Sequence, residues 1–144
     1  MKTLFALALM MASPQAKAAP MKGFRAGACA GLDHLCFLGG VTLGYARPRA
    51  GLRLSLGILA GGAQADLYLS DNEKRVRPYL HAGTGIFLFG LGHTGGGVGA
   101  DVHLLESKKL VLSAQGSVAH VYGVEGLSDI APRASIGLNW AFGK

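Results

Sequence analysis

The 144-residue chain is poor in charge: Asp, Glu, Lys and Arg make up 15% of it, against 50% hydrophobic residues. It has two cysteines, too few for a disulfide-dense scaffold or for a structural zinc site built from thiolates. Its basic residues are scattered, which argues against a nucleic-acid binder even at a net charge of +6. The 23 glycines follow no collagen period, and the apolar fraction is too high for a disordered chain. What remains is one globular or membrane domain.

The first segment stands apart. Lys2 precedes an uncharged apolar stretch from Thr3 to Ala12, and Ala16-Lys17-Ala18 follows a Ser-Pro-Gln break. The run is well short of the roughly 20 residues of a spanning helix, and the order of charged, apolar and small-residue regions is that of a secretory signal. Residues 1–18 are therefore expected to be a signal peptide and 19–144 a mature domain delivered to an oxidising space. Cys29 lies too far beyond the apolar run to be a lipoprotein site. Without Lys2 and Lys17, 12 basic and 8 acidic residues remain.

The mature sequence has a period of two. Leu52, Leu54, Leu56 and Ile58 alternate with Arg53, Ser55 and Gly57, and Ala134, Ile136, Leu138, Trp140 and Phe142 alternate with Ser135, Gly137, Asn139 and Ala141. Similar runs recur between turn signals such as Arg47-Pro48-Arg49, Gly61-Gly62 and Ser70-Asp71-Asn72. Eight strands are predicted, at about 22–30, 34–45, 49–59, 62–69, 76–89, 95–105, 109–122 and 132–142. Most are near the roughly 9–11 residues that carry a tilted strand across a bilayer. Pro78 to Ala100 has no charged residue and is long enough for a membrane helix, but eight of its residues are glycine. Each costs a helix about 1 kcal/mol relative to alanine.

An exported all-strand chain can hide its apolar faces between sheets or turn them out to lipid. Three features favour an eight-stranded antiparallel transmembrane barrel, apolar face outward. The opposite faces carry Arg25, Arg53, Arg133, Asp66 and Asp101, with His103 beside them. A barrel of eight strands is too narrow for a water channel, so these groups are expected to pair in its lumen. Folding the third and fourth strands about Gly61 sets Arg53 diagonal to Asp66 on one face. Aromatic residues form the second feature: Phe24, Tyr45, Trp140 and Phe142 fall outward at the terminal end, Phe37 and Tyr122 at the other. They read as membrane-interface girdles. Tyr68 faces inward, and Tyr79, Phe87 and Phe89 have no clear side.

The third feature is the C-terminal strand. Ser135-x-Gly137-x-x-Trp140-x-Phe142 resembles the assembly signal of outer-membrane β-barrel proteins, with Gly143 and Lys144 following the aromatic that usually ends such chains. With the signal peptide, the alternation and Tyr79-x-His81-Ala82-Gly83-x-Gly85, the mature chain is similar to small porin-like outer-membrane proteins of the A and X type. That resemblance implies an outer-membrane location, recognition by the barrel assembly machinery, contact with outer-membrane lipids, and no cofactor.

Cys29 and Cys36 have inward parity on adjoining strands and would fall opposite each other across a hairpin, which suits a disulfide. Two free thiols, or a Cys–His–Cys metal site with His34, are the alternatives. For catalysis, His120, Glu125, Ser128 and Asp129 gather at the end of the seventh strand. Some small outer-membrane barrels are lipid A acyl-transfer or deacylase enzymes, but the deacylase type needs a serine two residues after its histidine. This chain has Tyr122 there, so no catalytic residue is assigned. Lys22, Arg47, Arg49, Lys74, Arg75, Arg77, Lys108, Lys109 and Lys144 all fall at turns on the terminal side, a basic rim that reads first as a solvated, solubilising surface and otherwise as one suited to anionic headgroups or another acidic surface. Asp33, Glu125 and Asp129 lie in the opposite loops. The expected role is structural or interactional; lipid A modification and apolar-ligand binding by a soluble barrel are the competing readings.

Overall fold

The computed structural model describes residues 23–33, 36–70, 74–87, 90–105, 109–123 and 130–142; the expected signal peptide lies outside them. Eight strands follow one another: β1 (Gly23–Gly31), β2 (Gly40–Ala46), β3 (Ala50–Gly57), β4 (Ala60–Tyr68), β5 (Val76–Phe87), β6 (Gly92–His103), β7 (Leu110–Tyr122) and β8 (Ile130–Phe142). Each pairs antiparallel with the next, and β8 closes on β1, where Phe24 faces Phe142 and Gly31 faces Ser135. Closure leaves no sheet edge unpaired, which a bilayer requires.

The glycine-rich stretch from Pro78 to Ala100 forms most of β5 and β6, paired residue for residue from Val76↔Val102 to Ile86↔Gly92. Tyr79 stands opposite Gly99, and a Cβ at Gly99 would come within 2.6 Å of the Tyr79 ring and hydroxyl. The glycine is thus the space a large inward side chain occupies, not a break in the strand.

Three boundaries differ most from the periodicity: β6 begins at Gly92, so 92–95 is strand where a turn is expected, and the other two lie earlier in the chain. The turn between β3 and β4 is at Ile58 and Leu59, and Gly61 and Gly62 belong to β4. These glycines pair with Leu56 and Ser55, where neighbouring strands supply the backbone hydrogen bonds and no turn is needed. Strand β2 begins at Gly40, six residues later than the alternation suggested. Before it, Leu32 bridges Phe37, and Asp33 and Cys36 exchange backbone hydrogen bonds of 2.8 and 3.1 Å. Leu38 then takes a left-handed φ of 68° and donates its N–H to Gly31 O at 2.7 Å. The segment therefore makes a small tongue of its own, and Cys36 and Phe37 sit on it instead of on β2.

The sides of the wall are inverted relative to a protein dissolved in water. Leu52, Leu54, Leu56 and Ile58 are 51–74% exposed, whereas Arg53 between them is 7% exposed. The same inversion runs along β8, with Ile136, Leu138, Trp140 and Phe142 outward and Ser135 and Asn139 buried. Among the described residues, 23 large hydrophobic side chains are exposed. That exterior far exceeds the few hundred Å² of apolar patch typical of a water-soluble monomer, and in hydrocarbon it carries no penalty.

Phe24, Tyr45, Trp140 and Phe142 gather at the terminal end, with Phe24 and Tyr45 edge-to-face at 5.1 Å. At the loop end Tyr122 is exposed, but Phe37 is half-buried with its ring 4.8 Å from Phe87. Among the described residues the expected second girdle is accordingly reduced to Tyr122, with aliphatic residues such as Ile58, Ile86 and Ile130 at the same end.

Candidate functional site: the lumen network

Inward parity places one polar side chain after another inside the cylinder. At the terminal end Asp101 of β6 is fully buried and anchors a cluster. Its carboxylate accepts hydrogen bonds from Arg25 Nη1, from the Tyr68 hydroxyl at 2.9 Å and from Ser113 Oγ at 2.7 Å. Asn139 Nδ2 donates to Ser113 Oγ at 3.4 Å, and Thr42 Oγ1 donates to Asn139 Oδ1 at 2.7 Å. A chain of donors and acceptors thus joins β2, β8, β7 and β6 across the lumen.

Arg77 is also fully buried and lies over the Tyr68 ring, 3.8 Å from its centroid. Its Nη2 donates to the carbonyls of Pro48 at 3.0 Å and Arg47 at 3.4 Å. The sequence had put Arg77 among the exposed turn residues; it is instead the second residue of β5, and its inward parity carries it under the β2–β3 turn. Stacking a weakly hydrated guanidinium on an aromatic face is a favourable way to bury it.

In the middle, Arg53 Nε donates to Asp66 Oδ2 at 2.7 Å, and the guanidinium stands over Tyr79 at 4.7 Å. Arg53 faces Gln64 in register, so Asp66 is its diagonal neighbour even though the turn is not at Gly61. Gln64 Nε2 donates to Asp66 Oδ1 at 2.6 Å, and the amides of Gln64 and Gln115 exchange two bonds of 3.0 Å. Tyr79 donates to Gln115 Oε1 at 3.0 Å. Each amide N–H₂ therefore uses both its protons and each carbonyl is occupied, the condition under which a buried polar network is stable.

The tongue reaches into the barrel from the loop end. Asp33 is fully buried, and its carboxylate accepts from Gln115 Nε2 at 2.7 Å, Ser117 Oγ at 2.8 Å and Ser135 Oγ at 3.5 Å. The alternation places Asp33 in a loop at this end; the tongue's fold turns its side chain into the cylinder. The Cys29–Cys36 disulfide, Cα–Cα 6.0 Å, ties the tongue to β1. Of the two cysteines only Cys29 lies on a strand, opposite Gly40, so the bond joins wall to tongue and not strand to strand.

The structure thus brings together Arg25 with Asp101 and Arg53 with Asp66. His103 is buried at the terminal end, on the strand of Asp101. Arg133 departs from expectation: it is half-buried opposite Ser117, toward the loop end, and among the described residues it joins neither ion pair. Sequence reasoning followed formal charges and so missed Gln64, Gln115, Tyr79, Thr42 and Asn139, although each occupies an inward position of the same alternation.

Of the assembly signal, Ser135 and Gly137 face inward while Trp140 and Phe142 face out. His120 is exposed on the outer wall, its ring 6.3 Å from that of Tyr122, and Glu125, Ser128 and Asp129 lie outside the described residues. No metal-holding group of His, Cys, Asp and Glu occurs among the described residues.

No protein-family model matches the chain, and no curated protein does. Among solved structures it is similar to the N-terminal β-barrel domain of OprF from Pseudomonas aeruginosa, with a TM-score of 0.57 and 17% identity. The match covers 85% of this chain and 99% of that domain. The fold is thus the one that this β-barrel domain has, a closed antiparallel barrel of eight strands.

Proposed function

We propose that the chain is an integral outer-membrane β-barrel whose role is structural or interactional, with a lumen closed by its own side chains. The observation that carries this is the inversion of sides. A belt of leucine, isoleucine and valine faces outward while arginine and aspartate pair inside, an arrangement favourable only where hydrocarbon surrounds the wall. The lumen lining is polar and interlocked by hydrogen bonds, which suits neither an apolar ligand nor bulk flow of solutes. The likeness to the OprF barrel domain supports the location.

The test is electrophoretic mobility on fractionated membranes. The chain should be found in the outer-membrane fraction and migrate differently before and after boiling in detergent, as closed barrels do. Recovery as a detergent-free soluble monomer would refute the reading. Lipid A of unchanged mass in cells with and without the gene is the accompanying expectation; a shifted acyl pattern would favour the enzymatic alternative.

A further inference from the structure

The basic residues at the two ends of the barrel are distributed unequally. The three turns at the terminal end (47–49, 69–75 and 104–109) hold six basic and three acidic residues. The four connections at the other end (32–39, 58–59, 88–91 and 123–129) hold three acidic and no basic residues. Among the described residues of the terminal turns, Arg47, Arg49, Lys74, Arg75 and Lys109 are exposed.

The fold holds these turns in place. Buried Arg77 donates to the carbonyls of Arg47 and Pro48 and leaves the side chains of Arg47 and Arg49 outside. Arg75 Nε donates to His103 O at 3.2 Å, and Lys109 O accepts from Ala141 N at 2.7 Å. Directly inward along the wall come Tyr45 and Trp140, with Arg47 5.9 Å above the Tyr45 ring.

We infer that this rim selects anionic phospholipid headgroups in the leaflet at the terminal end of the barrel. The charges lie just beyond the aromatic edge of the apolar belt, the height at which lipid phosphates sit. They are carried by turns β2–β3, β4–β5 and β6–β7, so they are spread around the circumference instead of gathered on one side. A ring suits annular lipids; a compact acidic protein would need a single patch. The inference rests on the membrane reading above.

The test uses the only tryptophan of the chain, Trp140, which is one step along the β7–β8 ladder from Lys109. The mature chain is reconstituted in phosphatidylcholine vesicles containing brominated phosphatidylglycerol or brominated phosphatidylcholine, and quenching of Trp140 gives the relative association of the two lipids. At low salt the anionic lipid should be favoured by about threefold, and the preference should vanish near 0.5 M salt, where screening acts within about 4–5 Å. It should also vanish in the Arg47→Gln, Arg49→Gln, Lys109→Gln triple variant, provided that variant keeps its heat-modifiable mobility. Equal quenching by both lipids at low salt, with quenching present, would overturn the inference and leave the membrane reading standing. No quenching by either lipid would overturn both.

Discussion

Replacing Asp101 by alanine is expected to be among the costliest single changes in the lumen. Arg25 is 5% exposed, and without Asp101 its Nη1 keeps only the Tyr68 hydroxyl, at 3.3 Å. Breaking a buried ion pair from one side costs about 3–5 kcal/mol. The donors Tyr68 and Ser113 also lose their acceptor, at about 1 kcal/mol each. The sum is comparable to the whole stability of a small domain, about 5–15 kcal/mol. Removing both charges together, as Arg25→Met with Asp101→Leu, should cost far less, because no uncompensated guanidinium is then left in the lumen. Urea unfolding of vesicle-reconstituted protein, followed by Trp140 emission, measures both. If Asp101→Ala costs under about 1 kcal/mol, water reaches Arg25 and the sealed lumen is wrong.

Other outcomes follow from the same geometry. The Cys29→Ser, Cys36→Ser pair should lose about 2–3 kcal/mol, the value for closing a short loop, and should admit protease to the tongue while the barrel remains heat-modifiable. Limited proteolysis with and without reductant reads this directly. Asp33→Ala should cost about 2 kcal/mol in the same urea assay, since Gln115 and Ser117 lose their acceptor. Gly99→Val should displace the Tyr79 ring and lower stability by about 1–3 kcal/mol through overpacking, whereas Gly116→Val, on the open outer wall, should change it by much less.

The wall was largely legible from the period of two. Residues 52–58 and 134–142 declare their outward sides because a leucine or an aromatic stands at every second place, and a one-residue slip would reverse them all. The lumen was legible only where it carries a formal charge. Gln64 and Gln115 look in sequence like the wet face of an ordinary strand, and only closure of the cylinder shows that they must bond to each other. The tongue escaped notice because apolar alternation continues through Leu35 and Phe37 with no glycine or proline to interrupt it. Its reversal depends on Leu38 in a left-handed conformation, which a branched aliphatic side chain gives no reason to expect. Gly61-Gly62 misled in the other direction. Glycine often marks a turn, but here both residues sit within the β3–β4 ladder, opposite Leu56 and Ser55.

Which face of the wall meets hydrocarbon can be measured on β3 alone. Spin labels introduced one at a time at positions 52 to 56 in bilayer-reconstituted protein would be challenged with oxygen, which concentrates in lipid, and with a water-soluble nickel chelate. The expected result is strong oxygen collision at 52, 54 and 56, with little collision of either agent at 53 and 55. Nickel access at 53 and 55 together with oxygen-protected labels at 52, 54 and 56 would mean that the leucines form a dry centre, contradicting an outward apolar belt.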